Sequence, residues 1–442
     1  MKPTRKRAEI RTLVKREAKE ATRLAREIWK LAEPAFGETG SARLLADYLA
    51  SRGFKVDFPV RSVPTAFCAR WGRGRPVVGI LGEYDALPDC GLARGTWGHG
   101  CSHHLLGVGA AAGAVAVARL LEEKKKRGRV EYWGCPAEEA LAGKVYMARD
   151  GAFRGLDACV AWHPGGENAC QAAGGSALDS IVYEFFGRTA HGAWPAGGRS
   201  ALDAAVLTDV AANYLREHVP DHVRIHCVIR DGGNAPNVVP EYARIWYYTR
   251  AKDREEVADI TRRLTRCARG AALATETRLK VTKLTGVYSR LENGSMAELV
   301  RDNLVLMGAP RPSAADVRAA RKAGNRRPEF ARGVEKKIGT TQGKGSSDQD
   351  NVSRLAPLGS FSVACVPKGT RGHHRETTAQ SNQSFAHRGM LRGAEVMAAI
   401  AWDLATDAKR LARIRAEFRK GTKGFRYDPL IPKRQRPPIE GV

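Results

Sequence analysis

Residues 77–85 read VVGILGEYD, an apolar run of strand type that ends in a polar tetrapeptide. The composition predicts an Ala- and Gly-rich helix at 105–123 and further strands at Val130–Trp133 and Ala158–Trp162. Alternating strands and helices of this kind predict a largely parallel α/β sheet covered on both faces. Functional loops of such sheets leave the carboxyl ends of the strands. The polar motifs of this chain follow strands, so we expect them to meet at that edge.

A second pattern covers residues 178–291. Its predicted elements are, in order, a strand at 181–186, a helix at 199–218, strands at 222–230 and 242–250, a helix at 254–273 and a strand at 278–284. The order β-α-β-β-α-β is typical of the ferredoxin-like fold. We therefore expect such a module, inserted into an α/β domain made of residues 1–177 and 292–408. Residues 409–442 are basic and contain prolines, which predicts an extended tail.

The chain has 442 residues and nine cysteines without paired spacing. Its basic N-terminal segment is not followed by the apolar core of a signal peptide. The longest weakly polar run, Leu105–Leu121, has the composition of a buried helix. We therefore expect a cytoplasmic protein with reduced thiols and no membrane partner.

The formal net charge is +26, and the basic residues concentrate in the first helix, in Arg311–Lys344 and after Lys409. None of these stretches interleaves aromatic residues with arginine, and no zinc-finger or RNP-type motif occurs. We therefore expect a solvated basic surface and no nucleic-acid partner. A basic field that attracts anionic substrates explains the charge equally well.

Four short segments concentrate side chains that bind metals or move protons. They are HGCSHH at 99–104, PAEE at 136–139, WHP at 162–164 and GHHRE at 372–376. Each alone has an ordinary explanation, such as a polar loop or a solvated turn. Adjacent carboxylates point apart, so one of the PAEE pair can bind metal while the other moves a proton. Thiolate, imidazole and carboxylate together suit zinc and related divalent ions, and the joint set is Cys101, His103, Glu139, His163 and His373.

These segments resemble the metal-dependent amidohydrolase and peptidase family, which includes aminoacylases and auxin-conjugate hydrolases. The likeness is strongest to the aminobenzoyl-glutamate hydrolases, and among these to the B subunits, and it runs in order from about residue 10 to residue 408. Further matching segments are GILGEYDALP at 79–88, TAH at 189–191, GNAPNVVP at 233–240 and GSSD at 345–348.

The resemblance implies a zinc-peptidase-like α/β metal-binding domain with an inserted dimerisation or lid domain, and a homodimer formed through residues 178–291. It makes the joint set the metal ligands. It also implies that Glu138 is the general base and that Asp85 orients a ligand. His191 and Asn237 match lid-domain motifs that reach the substrate, often across a dimer.

Three positions depart from the family pattern. His104 stands where the family has Asn or Asp, and it is either an extra ligand or a substrate contact. The residues that follow His373 replace a Ser-Trp-Gln of the aminobenzoyl-glutamate branch, and we expect Arg375 among them to favour a carboxylate. Asn351 replaces an acid. With these changes, both one and two metals in each chain stay open.

Residues and resemblance together predict a divalent-metal-dependent hydrolase that cleaves a C–N bond of a small carboxylate-bearing substrate. By default this is an N-acyl amide similar to aminobenzoyl-glutamate, and the expected ion is Mn²⁺ or Zn²⁺. Glu138 would accept a proton from activated water and deliver it to the leaving nitrogen. His191 or Asn237 would stabilise developing negative charge.

Two alternatives stay open at this stage. The same centre would serve an aromatic-amine aminohydrolase of the nitroanthranilate type, which adds water to an electron-poor aromatic carbon and expels ammonia. His104 and Arg375 keep that alternative open. A non-catalytic nucleic-acid-binding protein would show a steep salt dependence, but it leaves the ligand set unexplained.

Overall fold

Two β-sheets organise residues 1–438, the part of the chain that the computed structural model describes. The strands are β1 (Lys55–Asp57), β2 (Phe67–Arg73), β3 (Val77–Gly82), β4 (Gly128–Gly134), β5 (Ala158–Gly165), β6 (Ala169–Gln171), β7 (Ala177–Phe186), β8 (Arg224–Asp231), β9 (Tyr242–Ala251), β10 (Arg278–Val287) and β11 (Leu358–Ala364). The helices are α1 (Pro3–Leu31), α2 (Thr39–Ala50), α3 (His103–Glu123), α4 (Gly143–Arg149), α5 (Ala201–Arg216), α6 (Arg254–Ala274), α7 (Gly294–Met307), α8 (Ala314–Lys322), α9 (Gln349–Val352), α10 (Arg375–Ser381), α11 (Ser384–Thr406) and α12 (Ala408–Gly421).

The larger sheet has the strand order β1-β2-β4-β3-β5-β11-β6. Its central strands β4, β3, β5 and β11 run parallel to one another. The outer strands β1, β2 and β6 join antiparallel. Every residue of β3 is buried, as expected for a strand covered by helices on both faces. The predicted parallel α/β sheet is confirmed at the centre, and its edges are antiparallel.

Two hydrophobic clusters cover the two faces of this sheet. On one face, α1, α3, α7 and α11 bury their apolar sides against the strands. On the other face, α4 and α9 pack with the loops that follow the strands. The polar carboxyl ends of β3, β4 and β5 therefore lie between two layers of packed side chains.

Helix α3 lies in the middle of the first cluster. It is the one helix within residues 1–438 with the length and composition of a membrane span, and 94% of that stretch is buried inside the fold. Its many Ala and Gly residues allow α1 and α11 to pack close to it. Its position in the core therefore accounts for its composition.

The indole of Trp162 fixes how α3 and α11 sit on β5. Its Nε1 donates a hydrogen bond to the Leu106 carbonyl at 3.0 Å. A Cβ placed on Gly109 of α3 or on Gly393 of α11 would lie within 2.7 Å of the indole ring. Both helices therefore approach Trp162 as closely as glycine permits, and they anchor the strand residue that precedes His163.

The smaller sheet has the order β10-β7-β9-β8, and all its pairs are antiparallel. Helices α5 and α6 pack on one face and form a separate hydrophobic core. In chain order the strands are arranged fourth, first, third, second, which is the ferredoxin-like arrangement. The predicted β-α-β-β-α-β order is thus present from Ala177 to Val287.

The prediction of an extended tail after residue 408 is wrong for its first part. Residues 408–421 form α12, because Leu411 and Ile414 recur at helical spacing and are buried against the main core. Beyond it, Ile431 is buried against the second cluster, and Gln435 donates to the Tyr146 hydroxyl at 2.8 Å. Residues 439–442 of the predicted tail lie outside the described residues.

We predict that Gly393→Ala destabilises the α/β domain by about 1–3 kcal/mol, because the new methyl group must displace the Trp162 indole. Gly270→Ala is the matched control, since Gly270 is also helical but has nothing within 4 Å of an added Cβ. It should raise stability by about 0.5–1 kcal/mol. Urea unfolding followed by circular dichroism measures both. Equal stability of the Gly393→Ala and wild-type proteins would contradict the close helix packing.

Candidate metal centre

The carboxyl ends of β3, β4 and β5 face a cavity of about 780 Å³. The cavity is lined from the larger sheet by Cys101, Glu138 and His163, and from the smaller sheet by Tyr248 and Arg250. Because parallel strands end at one edge of the sheet, loops far apart in sequence meet here. The sequence-predicted convergence of the polar motifs is therefore present in the structure.

Cys101, His103 and His163 form one group of potential metal ligands. One ligand atom of each lies within 4.8 Å of the others. The Cys101 Sγ lies 3.3 Å from the His163 Nε2. Between the first two, Ser102 has a φ of 63°, which turns the chain so that α3 begins at His103 with Cys101 on the same side.

Asp85 connects two of the predicted ligands. Its Oδ1 accepts a hydrogen bond from the His103 Nδ1 at 2.8 Å, and its Oδ2 accepts one from the Glu139 backbone N–H at 2.8 Å. The first contact directs the His103 Nε2 into the cluster. The second holds the loop after β4 against the loop after β3, as expected of an acid that orients metal ligands.

Glu139 also belongs to a second group, together with Cys101 and His373. The His373 Nε2 lies 3.5 Å from the Glu139 Oε2. The His373 backbone N–H donates to the Gly100 carbonyl at 2.9 Å, which holds the C-terminal loop beside the Cys101 loop. The His373 side chain is 62% exposed, whereas the others in the cluster are mostly buried. His373 therefore closes the cluster on its cavity side.

The unpaired atoms of the cluster fit a divalent cation. The His103 Nε2, the Glu83 Oε2 and the Glu139 Oε1 are buried and lack a hydrogen-bond partner within the described residues. The His103 Nε2 lies 3.7 Å from the Glu83 Oε2, 3.9 Å from the Glu138 Oε2 and 3.8 Å from the Glu139 Oε1. Buried carboxylates and an imidazole lone pair that face one another require a cation to be stable. The residues present therefore fit the metal that the sequence predicts.

Burial and crowding alter the acidity of this cluster. Burial, together with the neighbouring Glu83, raises the pKa of Glu138 to about 8. Burial also raises the pKa of Glu139, and the Cys101 thiolate adds to that effect. For Cys101 itself, burial opposes ionisation, but His163 and His103 outweigh it and place the thiol pKa well below its ordinary value. The cluster thus favours a thiolate ligand and holds protons on its carboxyl groups near neutral pH.

Sequence reasoning missed a buried lysine beside the cluster. The Lys144 Nζ lies 2.6 Å from the Glu83 Oε1 and 2.5 Å from the Asp348 Oδ1, and all three side chains are buried. Gln349 donates to the same Glu83 oxygen at 2.9 Å. Lys144 stands in an ordinary helix start, so nothing in its local sequence marks it. It supplies the positive charge that Glu83 and Asp348 need in the interior.

Sequence reasoning also missed two arginines of the cavity. The buried residues Ala243, Ile245, Tyr247 and Thr249 alternate along β9, so Arg250 lies on the opposite face of the strand, toward the cavity. Its Nε is buried and has no hydrogen-bond partner among the described residues. Arg290, in contrast, pairs with Asp350 at 2.8 Å. Arg250 is therefore the arginine available to an anion, and the alternation in β9 was the signal for it.

Comparison with known proteins matches both domains. Residues 177–276 match the family model described as the peptidase dimerisation domain. The B subunit of p-aminobenzoyl-glutamate hydrolase from Escherichia coli (strain K12) is 33% identical, over 94% of this chain and 95% of that protein. The chain belongs to the M20 family of metal-dependent amidohydrolases and peptidases. It is therefore a metal-dependent hydrolase of C–N bonds.

Two further similarities extend across the chain. The human Xaa-Arg dipeptidase is 29% identical over 90% of this chain and 88% of that protein. The crystal structure of a dinuclear metal-binding peptidase of the M20 family from Bacillus subtilis has a similar fold. It covers 86% of this chain and 98% of its own, with a TM-score of 0.53 and 17% identity.

Two positions that depart from the M20 pattern do not reach the cavity. His104 follows His103 by about 100° around α3, so it points into the core, where its Nε2 lies 3.3 Å from the Ser381 carbonyl oxygen. Burial holds the pKa of His104 well below its ordinary value. Arg375 is exposed at the start of α10 and does not line the cavity. The structure therefore gives neither residue the predicted substrate contact, and the aminohydrolase alternative loses the two positions that kept it open.

His191 and Asn237 lie together but away from the metal cluster. Their loops are adjacent, since the Gly192 N–H donates to the Asn237 carbonyl at 2.7 Å and His191 pairs with Val238. Both side chains are exposed, and neither lines the cavity within one chain. Asn351 has a structural position, because its Oδ1 accepts from the Tyr288 backbone N–H at 3.1 Å.

Proposed function

We propose that this enzyme hydrolyses the amide bond of N-acyl amino acids with a free carboxylate, with aminobenzoyl-glutamate-like amides as the default substrates. One observation carries the proposal. The metal cluster with Glu138 and the unpaired guanidinium of Arg250 face the same cavity of about 780 Å³ from different domains. An amide whose carbonyl lies at the cluster can place its carboxylate at Arg250. The similarity to p-aminobenzoyl-glutamate hydrolase supports this choice of substrate class.

We assign the metal to Cys101, His103, Glu139, His163 and His373, with one or two ions of Mn²⁺ or Zn²⁺ in each chain. A bound divalent ion of this kind polarises a carbonyl and lowers the pKa of water. Asp85 keeps the His103 ring in the tautomer whose Nε2 faces the cluster. Thiolate, imidazole and carboxylate ligands suit zinc, and the carboxylates also suit manganese.

Glu138 is the proposed proton carrier. Its carboxylate lines the cavity beside the ligands, and the adjacent Glu139 directs its own carboxylate toward His373. The pKa of Glu138, raised to about 8 by burial and by Glu83, suits a group that accepts a proton from water and then returns it. The proton moves to a Glu138 carboxylate oxygen and from there to the leaving nitrogen.

Arg250 is the proposed partner of the substrate carboxylate. Its Nε has no other partner among the described residues, and Tyr248 beside it provides an aromatic wall 5.5 Å from the guanidinium carbon. A bidentate contact from this guanidinium fixes the position of the acyl amino acid relative to the cluster. Because Arg250 belongs to the inserted domain, substrate binding would link the two domains.

We predict that Arg250→Gln raises KM for an N-acyl amino acid by about 10- to 100-fold, with a smaller loss of kcat, because a charge-assisted contact to the substrate is lost. The carboxamide analogue of the same substrate should be turned over equally by variant and wild type. Arg244→Gln, on the same strand but away from the cavity, is the matched control. An unchanged KM in Arg250→Gln would exclude this carboxylate contact.

The inserted domain also supports a homodimer. β8 is an edge strand of the smaller sheet, and Val228 and Ile229 on it are exposed. On the neighbouring helix α5, Val206, Val210 and Tyr214 are exposed at helical spacing. An unpaired edge strand beside an exposed apolar helix face is typical of an interface. The match to the peptidase dimerisation domain supports the same surface.

We propose that this dimer brings His191 and Asn237 of one chain to the metal cluster of its partner. Within one chain neither residue lines the cavity, although both are exposed polar side chains on adjacent loops. There they would donate to the oxygen that gains negative charge as water attacks the amide. A single chain would then contain an incomplete site.

A mixed dimer tests this arrangement. The variants His191→Ala and Glu138→Gln should each be nearly inactive alone, but their coexpression should restore about a quarter of wild-type activity per chain, because each mixed dimer contains one intact site. Coexpression of His191→Ala with the double variant His191→Ala/Glu138→Gln is the control and should restore nothing. Failure of the first pair to recover activity, with mixed dimers verified by two affinity tags, would place His191 in its own chain's site.

The reaction itself is tested by product analysis with the metal-loaded enzyme and a panel of N-acyl amino acids and amino-substituted aromatic acids. We expect a free amino acid and its acid partner. Ammonia with a hydroxylated aromatic product would show an aminohydrolase instead.

For Glu138→Gln we expect full metal content but a loss of about 10²- to 10⁴-fold in kcat, because the proton carrier is removed. Elemental analysis measures the metal, and Glu292→Gln, at an exposed position, is the control. A near-normal rate with bound metal would exclude Glu138 as the base.

We also propose a cytoplasmic location without membrane or nucleic-acid partners. All nine cysteines are free thiols in the structure, which supports a reducing compartment.

A further inference from the structure

We propose a second ligand site, separate from the metal centre, that binds a small anion carrying two or more phosphate groups. The site is a cavity of about 560 Å³, here named the arginine cavity. Its charged lining consists of Arg7, Arg11, Arg311, Arg332, Arg388 and Arg392. It shares no lining residue with the cavity at the metal centre.

The fold brings these six side chains together from four separate segments. Arg7 and Arg11 extend from one face of α1, and Arg388 and Arg392 extend from successive turns of α11. The other two arginines come from the segments that follow α7 and α8. The basic stretch that the sequence shows after residue 311 therefore does not simply point into solvent, because part of it closes a concave surface formed by two core helices.

Three of the six arginines already have protein partners. Arg11 and Arg392 both pair with Glu395 and both donate to the Met307 carbonyl at the end of α7. Arg388 pairs with Asp316. These contacts explain why the fold keeps three arginines here.

The remaining three arginines, Arg7, Arg311 and Arg332, make no hydrogen bond or ion pair in the described part of the chain, and all are exposed. Six guanidinium groups thus surround one cavity with two carboxylates in contact. Burial and the nearby Arg11, Arg7 and Arg311 lower the pKa of Arg392 despite its pairing with Glu395. On a convex surface such charges separate into solvent, whereas in a concave one they repel, and a bound anion relieves that repulsion.

The lining indicates which anion fits. Guanidinium groups bind phosphate through paired, geometrically matched hydrogen bonds, and several phosphates are needed to balance an excess of about four positive charges. The volume lies within the range of small-ligand pockets. Apart from the arginines, the cavity is lined by Met307, Gly308 and Ala309, so its described lining offers no aromatic ring. Single-stranded nucleic acids are bound by stacking on such rings, so the cavity suits a compact polyphosphate better than a nucleic acid.

Titration calorimetry of the metal-loaded, full-length enzyme with inorganic tripolyphosphate at physiological salt tests this proposal. We expect one binding site per chain. The triple variant Arg7→Gln/Arg311→Gln/Arg332→Gln should bind at least about tenfold more weakly, because it loses three charge-assisted contacts. These side chains have no partners among the described residues, so the variant should keep its fold and its turnover of an N-acyl amino acid. Metal content is measured after each titration.

The matched control is Arg73→Gln/Arg127→Gln/Arg154→Gln, which removes the same charge at exposed arginines elsewhere. Its affinity should stay within about twofold of wild type, since a site-specific contact is unaffected by distant exposed charges at this salt. The proposal is overturned if wild type does not bind the probe, or if both triple variants lose affinity equally. It is also overturned if a single-stranded oligonucleotide binds through the same three arginines more tightly than tripolyphosphate.

Discussion

The site depends on the two hydrogen bonds of one carboxylate. Asp85 ends the strand-turn segment after β3, and its oxygens hold the His103 ring and the Glu139 backbone at 2.8 Å each. A shift of this side chain would release the first turn of α3 and the loop after β4 together. The core packing has the same effect from behind, because Trp162 is enclosed by glycines of α3 and α11 and precedes His163. Ligand geometry is therefore set by the most rigid part of the fold.

Around that carboxylate, the protein gathers more buried acid than its own cations neutralise. Lys144 balances Glu83 and Asp348, so that part of the interior is self-sufficient. Glu139 and the His103 Nε2 have no such partner among the described residues and face each other across the cluster. This difference separates a structural ion pair from a metal site, since only the second leaves buried lone pairs that a protein side chain does not satisfy.

The division into two domains has a consequence for catalysis. The α/β domain contributes the metal cluster, whereas the inserted domain contributes Arg250 to the same cavity and carries His191 and Asn237 on loops outside it. Its exposed edge strand and helix face are apolar, unlike the arginine-rich concave surface formed by α1 and α11. Surfaces of such different chemistry on one chain suit different partners, a second copy for the first and an anion for the second.

The sequence by itself determined the two domain patterns, the family and the segments that carry the metal-binding residues, because strand alternation, helix spacing and short motifs are local properties. It placed Cys101 and His163 in one site because parallel strands share a carboxyl edge. Only the tertiary structure decided which polar residues face the cavity. His104 differs from His103 by one helical step and is buried in the core, while Arg250 gained its role from the strand face on which it lies. Side-chain direction depends on how elements pack against one another, and contacts between residues distant in sequence determine that packing.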